Sequence, residues 1–410
     1  MDKLVFVLLC GLVFVIPWEM IGALGELPSL SRLLGLITIL TAVVAMFARP
    51  TLRRVPWAMR FMILFWIWTA LGLLWSVDPP YTQIHVVTIL LLVLFVWLIW
   101  QFCPSVDRQV VLMKTYIWGH VVPLAWMYVD FARAGFSRAA LGARFTGAGH
   151  DANYMAELLN VVVLFVVYLL ARGRGRRMPL RPFYVGLLPA AAIAVFLTGS
   201  RTGVLGLAAS GVVSLFILRY GGFQTKFLVL LALAGIVLGI VTLVPAELLT
   251  RVTTETSLKA GTFQERLDSW QAGLAAWLRV PIQGIGGGTY ASLTAGTFAG
   301  RMVAHNVFIS ELVEKGIVGF ILFMTFLMMI VKSAWSMPKL ERYLWLGSLG
   351  VWGLASLTAS SGHDKLTWFL FGIVLAQAAA LGRAANPYWS PGNFPATALA
   401  ARRRNFRGSP

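Results

Sequence analysis

The chain is short of charge. Only 12% of its 410 residues are charged, against roughly 25% in an ordinary soluble protein, which excludes a soluble globular domain of usual composition. It has two cysteines, Cys10 and Cys103, too few for a disulfide framework and without CxxC spacing. Both lie in apolar settings and read as small core residues. No DxD, HExxH or Walker motif occurs, so metal-dependent catalysis and nucleotide hydrolysis lack support. The apolar runs are continuous rather than alternating, which argues against a β-barrel. No internal repeat is evident.

What the chain has is apolar length: 59% of it is hydrophobic, in runs near the length that crosses a bilayer. The pattern predicts an all-α polytopic membrane protein with about twelve transmembrane helices. The spans fall near 4–22, 30–48, 57–75, 83–102, 110–130, 155–171, 183–199, 203–219, 226–244, 309–331, 343–360 and 366–382. The first lacks a small-residue cleavage site and reads as a retained helix rather than a signal peptide. Residues 1–383 form a single membrane domain with one sizeable insertion at 245–308. The Pro/Gly/Ala-rich, basic tail 384–410 is expected to be poorly ordered.

The net charge of +18 is unevenly placed. The side carrying both termini holds 22 of the 34 basic residues against three acids, Asp2, Asp107 and Glu341; the other side has 12 basic and 13 acidic residues. The positive-inside rule then puts both termini in the cytoplasm and residues 245–308, with loops 131–154, 200–202 and 361–365, outside it. The basic face is topogenic, and nucleic acid is not expected as a partner. The outer basic residues at span edges, Arg144, Arg201, Arg266, Arg301 and Lys365, are not explained that way. Charged groups at membrane depth are costly and usually functional, and arginine presents a planar fork of donors to phosphate oxygens.

Within the insertion, Phe263, Leu267, Trp270, Leu274 and Trp277 recur at helical spacing and predict an amphipathic helix lying in the interface, its tryptophans at headgroup level. Pro281 ends it, and Gly284, Gly286, Gly287 and Gly288 mark a tight turn. His305-Asn306 then opens a span. A histidine there suits a general base that activates a hydroxyl; the plainer alternative is a helix-start histidine satisfied by backbone. Arg201 lies in a three-residue turn, beside a helix N-terminus that favours anions, or else snorkels. Arg266 pairs either with Asp268 or Glu265 or with a ligand. Arg144, His150, Asp151 and Asn153 share a Gly-rich loop whose amides suit phosphate or sugar. Gly149-His150-Asp151 and Gly362-His363-Asp364 repeat a triplet without defined metal spacing; Asp364 and Lys365 are expected to pair or to line a cavity. His85 and His120 read as structural or interhelical hydrogen bonders.

These motifs fall in a set order: Arg201-Thr202-Gly203, Arg266 to Trp270, Pro281 to Gly286, and His305-Asn306 through Glu314 and Gly316 to Gly319. In that order the chain resembles the bacterial O-antigen ligase family, related to O-antigen polymerases. The resemblance implies a GT-C-like membrane glycosyltransferase of the Gram-negative inner membrane, its active site periplasmic. It further implies metal-independent, inverting transfer without a cofactor, from O-antigen on undecaprenyl diphosphate to a sugar hydroxyl of lipid A–core. Carried over residue by residue, His305 would be general base and Arg201, Arg266 and Arg144 would hold the diphosphate. Asn306, Asn153, His150, Asp364, Lys365 and Arg301 stand as secondary candidates. An O-antigen polymerase would use the same donor, and a lipid-linked sugar transporter would also need arginines and a polar cavity.

Overall fold

The computed structural model describes residues 1–19, 30–47, 52–140, 143–147, 149–173, 180–253, 262–293 and 303–385. Among them there is no strand. Fifteen α-helices follow one another. They are α1 (Asp2–Val15), α2 (Leu30–Phe47), α3 (Trp57–Leu71), α4 (Pro79–Phe102), α5 (Val106–Gly119), α6 (Val121–Ala140), α7 (Ala152–Arg172) and α8 (Arg181–Leu197). After them come α9 (Arg201–Leu218), α10 (Phe223–Leu243), α11 (Ala246–Thr253), α12 (Thr262–Arg279), α13 (Val307–Trp335), α14 (Lys339–Ser356) and α15 (Lys365–Ala385).

Nine helical segments among the described residues are long and apolar enough to cross a membrane, so the chain is a multi-pass helical membrane protein. The twelve expected spans all contain helix, but three fall short of that length or hydropathy. Helix α1 has 14 residues before a 3-10 turn at Ile16–Trp18. Helix α8 has 17 and carries Pro189. Helix α14 opens with Lys339, Glu341 and Arg342. The span expected at 110–130 is two helices, α5 and α6, joined at buried His120, whose Nδ1 lies 2.8 Å from the Tyr116 carbonyl oxygen. Cys10 and Cys103 are both free, and Cys103 is buried.

Helix α7 is the hub, apolar and almost wholly enclosed. It packs on α8, α9 and α14. Its contact with α9 is close because α9 offers small residues. A Cβ on Gly203 would sit 2.4 Å from Ala156, and one on Gly206 2.5 Å from Asn160, the small-residue packing that membrane helices favour. Asn160 Nδ2 donates to the Gly203 carbonyl at 2.9 Å, so the two helices run parallel with their N-termini side by side.

Helix α13 is broken. Gly316 takes φ 64 and ψ −172 inside it, a region essentially restricted to glycine. The break frees backbone groups that must find partners in an apolar setting, and the segment after Pro281 supplies them. Ile285 N donates to Val313 O at 3.2 Å, Gly286 N to Glu314 O at 2.9 Å, and Ile317 N to Pro281 O at 2.9 Å. The buried Glu314 carboxylate reaches the same loop, accepting from Gly288 N at 2.8 Å and Tyr290 N at 3.2 Å. Lys315, also buried, lies 2.8 Å from Glu311 and 3.5 Å from Glu314. The Gly-rich stretch is therefore a repair strand for a broken helix as well as a turn.

A Cβ on Gly316 would lie 2.2 Å from the Ile282 carbonyl oxygen. Gly316→Ala is thus expected to cost more than about 3 kcal/mol, combining steric overlap with a strained backbone. Gly211→Ala, whose Cβ meets nothing within 4 Å, is the control. Thermal unfolding in detergent should show a large drop for the first variant and little change for the second; equal melting would refute this account of the kink.

Candidate active site

Three helix N-termini gather at one end of the bundle, each capped by its own side chain. Asp151 caps α7 by accepting from the backbone N–H of Asn153 and Tyr154. Ser200 caps α9 by accepting from Gly203 N at 3.1 Å. Asn306 caps α13 by accepting from Phe308 N and Ile309 N at 3.0 and 3.1 Å. Helix starts carry partial positive charge and favour anions.

The arginines converge there. Arg144 donates through Nε to Thr198 O at 2.7 Å and through Nη2 to Asn153 Oδ1 at 3.1 Å. Ser200 Oγ donates to the same Asn153 oxygen at 2.8 Å, so Asn153 joins the Arg144 loop to the start of α9. Arg201 Nε donates to the Arg251 carbonyl at 2.9 Å, binding α9 to α11. The Arg251 side chain reaches back to the turn: a Cβ on Gly199 would meet it at 3.2 Å and Arg144 at 3.7 Å. Burial lowers the Arg144 guanidinium from its ordinary value, and repulsion by Arg251 and then Arg266 acts the same way. Burial also lowers Arg266, with Asp151 opposing. Asp151 is the acid facing this group.

His305 belongs to the same assembly. It is the one non-glycine residue among those described with a left-handed backbone, φ 46, a conformation uncommon outside glycine and worth reading as imposed. Its flanks are held: Trp270 Nε1 donates to Ala304 O at 2.7 Å, and Asn306 Nδ2 to Leu357 O at 3.4 Å. Burial holds the imidazole below its ordinary value, Arg266 pushes it the same way, and Asp151 pulls it up. At neutral pH the ring is uncharged and able to take a proton.

The amphipathic helix expected from residue 262 onward is α12, and it places Arg266 toward Asp151 rather than in a local pair; Asp268 instead accepts from Gln264 at 2.8 Å. Both of its tryptophans donate to backbone carbonyls. Trp270 holds the His305 segment, and Trp277 Nε1 donates to Pro281 O at 3.1 Å.

Other candidates lie apart from the arginines. His150 is buried with Nε2 3.1 Å from Pro17 O; burial keeps it below its ordinary value, so it serves as a neutral donor fastening the first helical segment. Lys365 pairs with Glu19 rather than with Asp364. Burial pushes the Asp364 carboxyl up to about 6, partly offset by His363. Arg301 lies outside the described residues. Among those described, no group of three or more His, Cys, Asp or Glu side chains could hold a metal ion. His85 differs from its expectation as a hydrogen bonder: its Nε2 has no partner, and the ring packs on Gly287, Gly288 and His363.

Sequence reasoning missed Arg251, Glu19 and Glu157. The last is a buried acid near the start of an apolar span, a signal that intramembrane ionisable residues routinely give. Arg251 carries no such mark, because its role depends on how α11 folds back over the Gly199 turn.

The arrangement defines a class: a multi-pass helical membrane protein with a cluster of arginines beside a neutral histidine at one end of the bundle. A family model described as O-antigen ligase matches residues 185–324, so this part of the chain is similar to that family. The match takes in Arg201, Arg251, Arg266, His305 and the broken helix, while Arg144 and Asp151 precede it. No curated protein matches the chain.

Asn306→Ala removes the α13 cap and is expected to cost about 1 kcal/mol. Asn306→Asp keeps an accepting oxygen and should retain most of that stability. Thermal unfolding of the two variants, side by side, checks the cap; equal losses would show that the side chain matters for another reason.

Proposed function

We propose that the protein is an O-antigen ligase. It transfers O-antigen polysaccharide from undecaprenyl diphosphate to a sugar hydroxyl of lipid A–core, in the inner membrane of a Gram-negative bacterium. The observation that supports this best is the coupling of a neutral His305 to Arg266 within one cluster that also holds Arg144, Arg251 and Asp151. The guanidinium groups of Arg144, Arg201, Arg251 and Arg266 outnumber the Asp151 carboxylate, and the net positive charge suits the anionic lipid diphosphate. The GT-C-like character and the periplasmic placement of the site, with both termini cytoplasmic, are part of the same reading and rest on the basic bias of the opposite face.

In this mechanism Arg144, Arg201 and Arg266 hold the diphosphate, with Arg251 beside them. His305 accepts the proton of the acceptor hydroxyl. The hydroxyl oxygen attacks the anomeric carbon from the face opposite the leaving group, forming the new glycosidic bond with inversion. The anomeric carbon–oxygen bond to phosphate breaks, and the electron pair leaves with the lipid diphosphate. Preorganised cations meet the charge that develops on that leaving group, and holding both substrates at one site supplies orientation. The diphosphate linkage is already activated, so no nucleotide is required.

Purified protein mixed with undecaprenyl-diphosphate-linked glycan and lipid A–core, with and without chelator, tests the proposal. Transfer should survive chelation. His305→Ala should lower kcat by about 10²–10⁴-fold while donor binding persists. Arg144→Ala and Arg266→Ala should weaken donor binding. Lengthening of the lipid-linked glycan, with no product on lipid A–core, would overturn the ligase assignment in favour of a polymerase.

The pH profile gives a separate check. The acid limb of kcat/KM should fall below pH ~6.5, the ordinary histidine value, because burial and Arg266 both hold His305 down. Arg266→Gln removes a repelling charge and should move that limb to higher pH; a shift downward would contradict the pairing.

A further inference from the structure

A cavity of about 250 Å³ lies between α4, the Gly-rich segment, the start of α13 and the turn before α15. Val303 and Ala304, immediately before His305, form part of its wall. The cavity therefore reaches the backbone that carries the candidate base. None of its described lining residues is an arginine or a lysine, so its chemistry differs from that of the arginine cluster.

The one carboxylate among its described lining residues is already engaged. Glu314 spends its carboxylate on Gly288, Tyr290 and Lys315. His85 is only 7% exposed, lines the cavity, and has an Nε2 with no hydrogen-bond partner. Ser360 lines it too, and its buried hydroxyl has none either. Buried polar atoms left unpaired cost about 1–3 kcal/mol each, so a ligand rich in donors and acceptors that drew these two lining side chains into hydrogen bonds would relieve that cost. His363 stands against His85, ring centroids 5.4 Å apart, and Ser310 adds a hydroxyl from α13. Tyr81 contributes an aromatic surface. A cavity of about 150 Å³ accommodates benzene, so this one has room for a six-membered ring with its substituents.

We propose that this cavity binds a neutral sugar ring. The inference rests on the transferase reading only for which saccharide arrives. That ring comes either from the acceptor or from the glycan carried by the donor, and both share the chemistry the cavity offers: hydroxyls for His85, Ser360, Ser310 and His363, and an apolar ring face for Tyr81. His305 then stands between the arginine cluster proposed for the diphosphate and a cavity for sugar.

Saturation-transfer NMR on the detergent-purified full chain tests this directly. The probes are two lipid-free saccharides: the core oligosaccharide released from lipid A–core and the O-antigen saccharide released from its carrier. At least one should show transfer to the wild type. That signal should be lost in Ser310→Phe, which fills the cavity, and weakened about tenfold in affinity in Ser360→Ala, the loss of roughly one hydrogen bond. It should persist in Arg266→Ala. Signal from the core oligosaccharide alone assigns the cavity to the acceptor, and signal from the O-antigen saccharide alone assigns it to the donor; both support a sugar site. No signal with either saccharide, or a signal that Ser310→Phe leaves intact while its melting temperature is unchanged, overturns the proposal. If Ser310→Phe fails to fold, the Ser360→Ala affinity decides. A wild type that binds saccharide but transfers nothing sinks the ligase reading and leaves the cavity assignment standing.

Discussion

The structure depends on backbone hydrogen bonds made where a helix is broken. Breaking α13 at Gly316 is expensive in an apolar environment, since each freed amide and carbonyl needs a partner. The stretch from Pro281 to Gly288 meets that need by lying against the break. A Cβ on Gly284 would fall 2.4 Å from Gly316 N and 2.5 Å from Glu314 O, so the two segments approach as only glycine allows. Trp68 Nε1 donates to the Lys315 carbonyl at 2.8 Å, and Trp75 Nε1 to the Gln283 carbonyl at 3.3 Å. Helix α3 and its continuation are thereby tied to the same joint. The buried Glu311–Lys315–Glu314 group gains little net stability, because desolvation offsets most of its attraction. Its geometric effect is larger, for it fixes which loop amides meet the helix.

Everything at the site hangs from that joint or from the α7–α9 contact. His305 precedes the broken helix by two residues, and α12 is pinned to its approach through Trp270. Arg144 and Arg201 are fixed by α7 and α9, which can touch only because Gly203 and Gly206 lack side chains. The two halves meet electrostatically, with Asp151 acting on both Arg266 and His305. A carboxylate shared this way keeps repelling guanidinium groups together while leaving an excess of positive charge.

Much of this was legible in the sequence. The helical class, the amphipathic helix from residue 262 and the helix start after His305-Asn306 follow from local rules: apolar length, helical spacing and an asparagine that caps. What was not legible depends on tertiary approach. The glycines after Pro281 read as a turn, whereas their larger task is to pair with a kink some thirty residues further on. His85 read as an ordinary polar residue of a span, and its placement on a cavity required knowing that Gly287 and Gly288 pack over it. The length of α8 and the charged first turn of α14 reduced the spans that qualify on length and hydropathy.

Helix α10 carries a consequence of its own. Almost all of its surface points away from the bundle, and it packs chiefly on α8. Its 21 residues span about 31 Å at 1.5 Å each, close to the roughly 30 Å of a bilayer's hydrocarbon core. It then passes through Pro245 directly into α11, which bears Arg251. A helix so exposed would adjust to bilayer thickness, and it is joined to the arginine cluster through α11, whose Arg251 carbonyl accepts from Arg201. On the function proposed above, the arginine cluster would then lie near the level where lipid headgroups begin, and a lipid-borne diphosphate would meet it by lateral diffusion without leaving the membrane. On the same proposed function, bilayers thinner or thicker than α10 would mismatch the arginine cluster to a lipid-borne substrate, making membrane thickness a determinant of encounter.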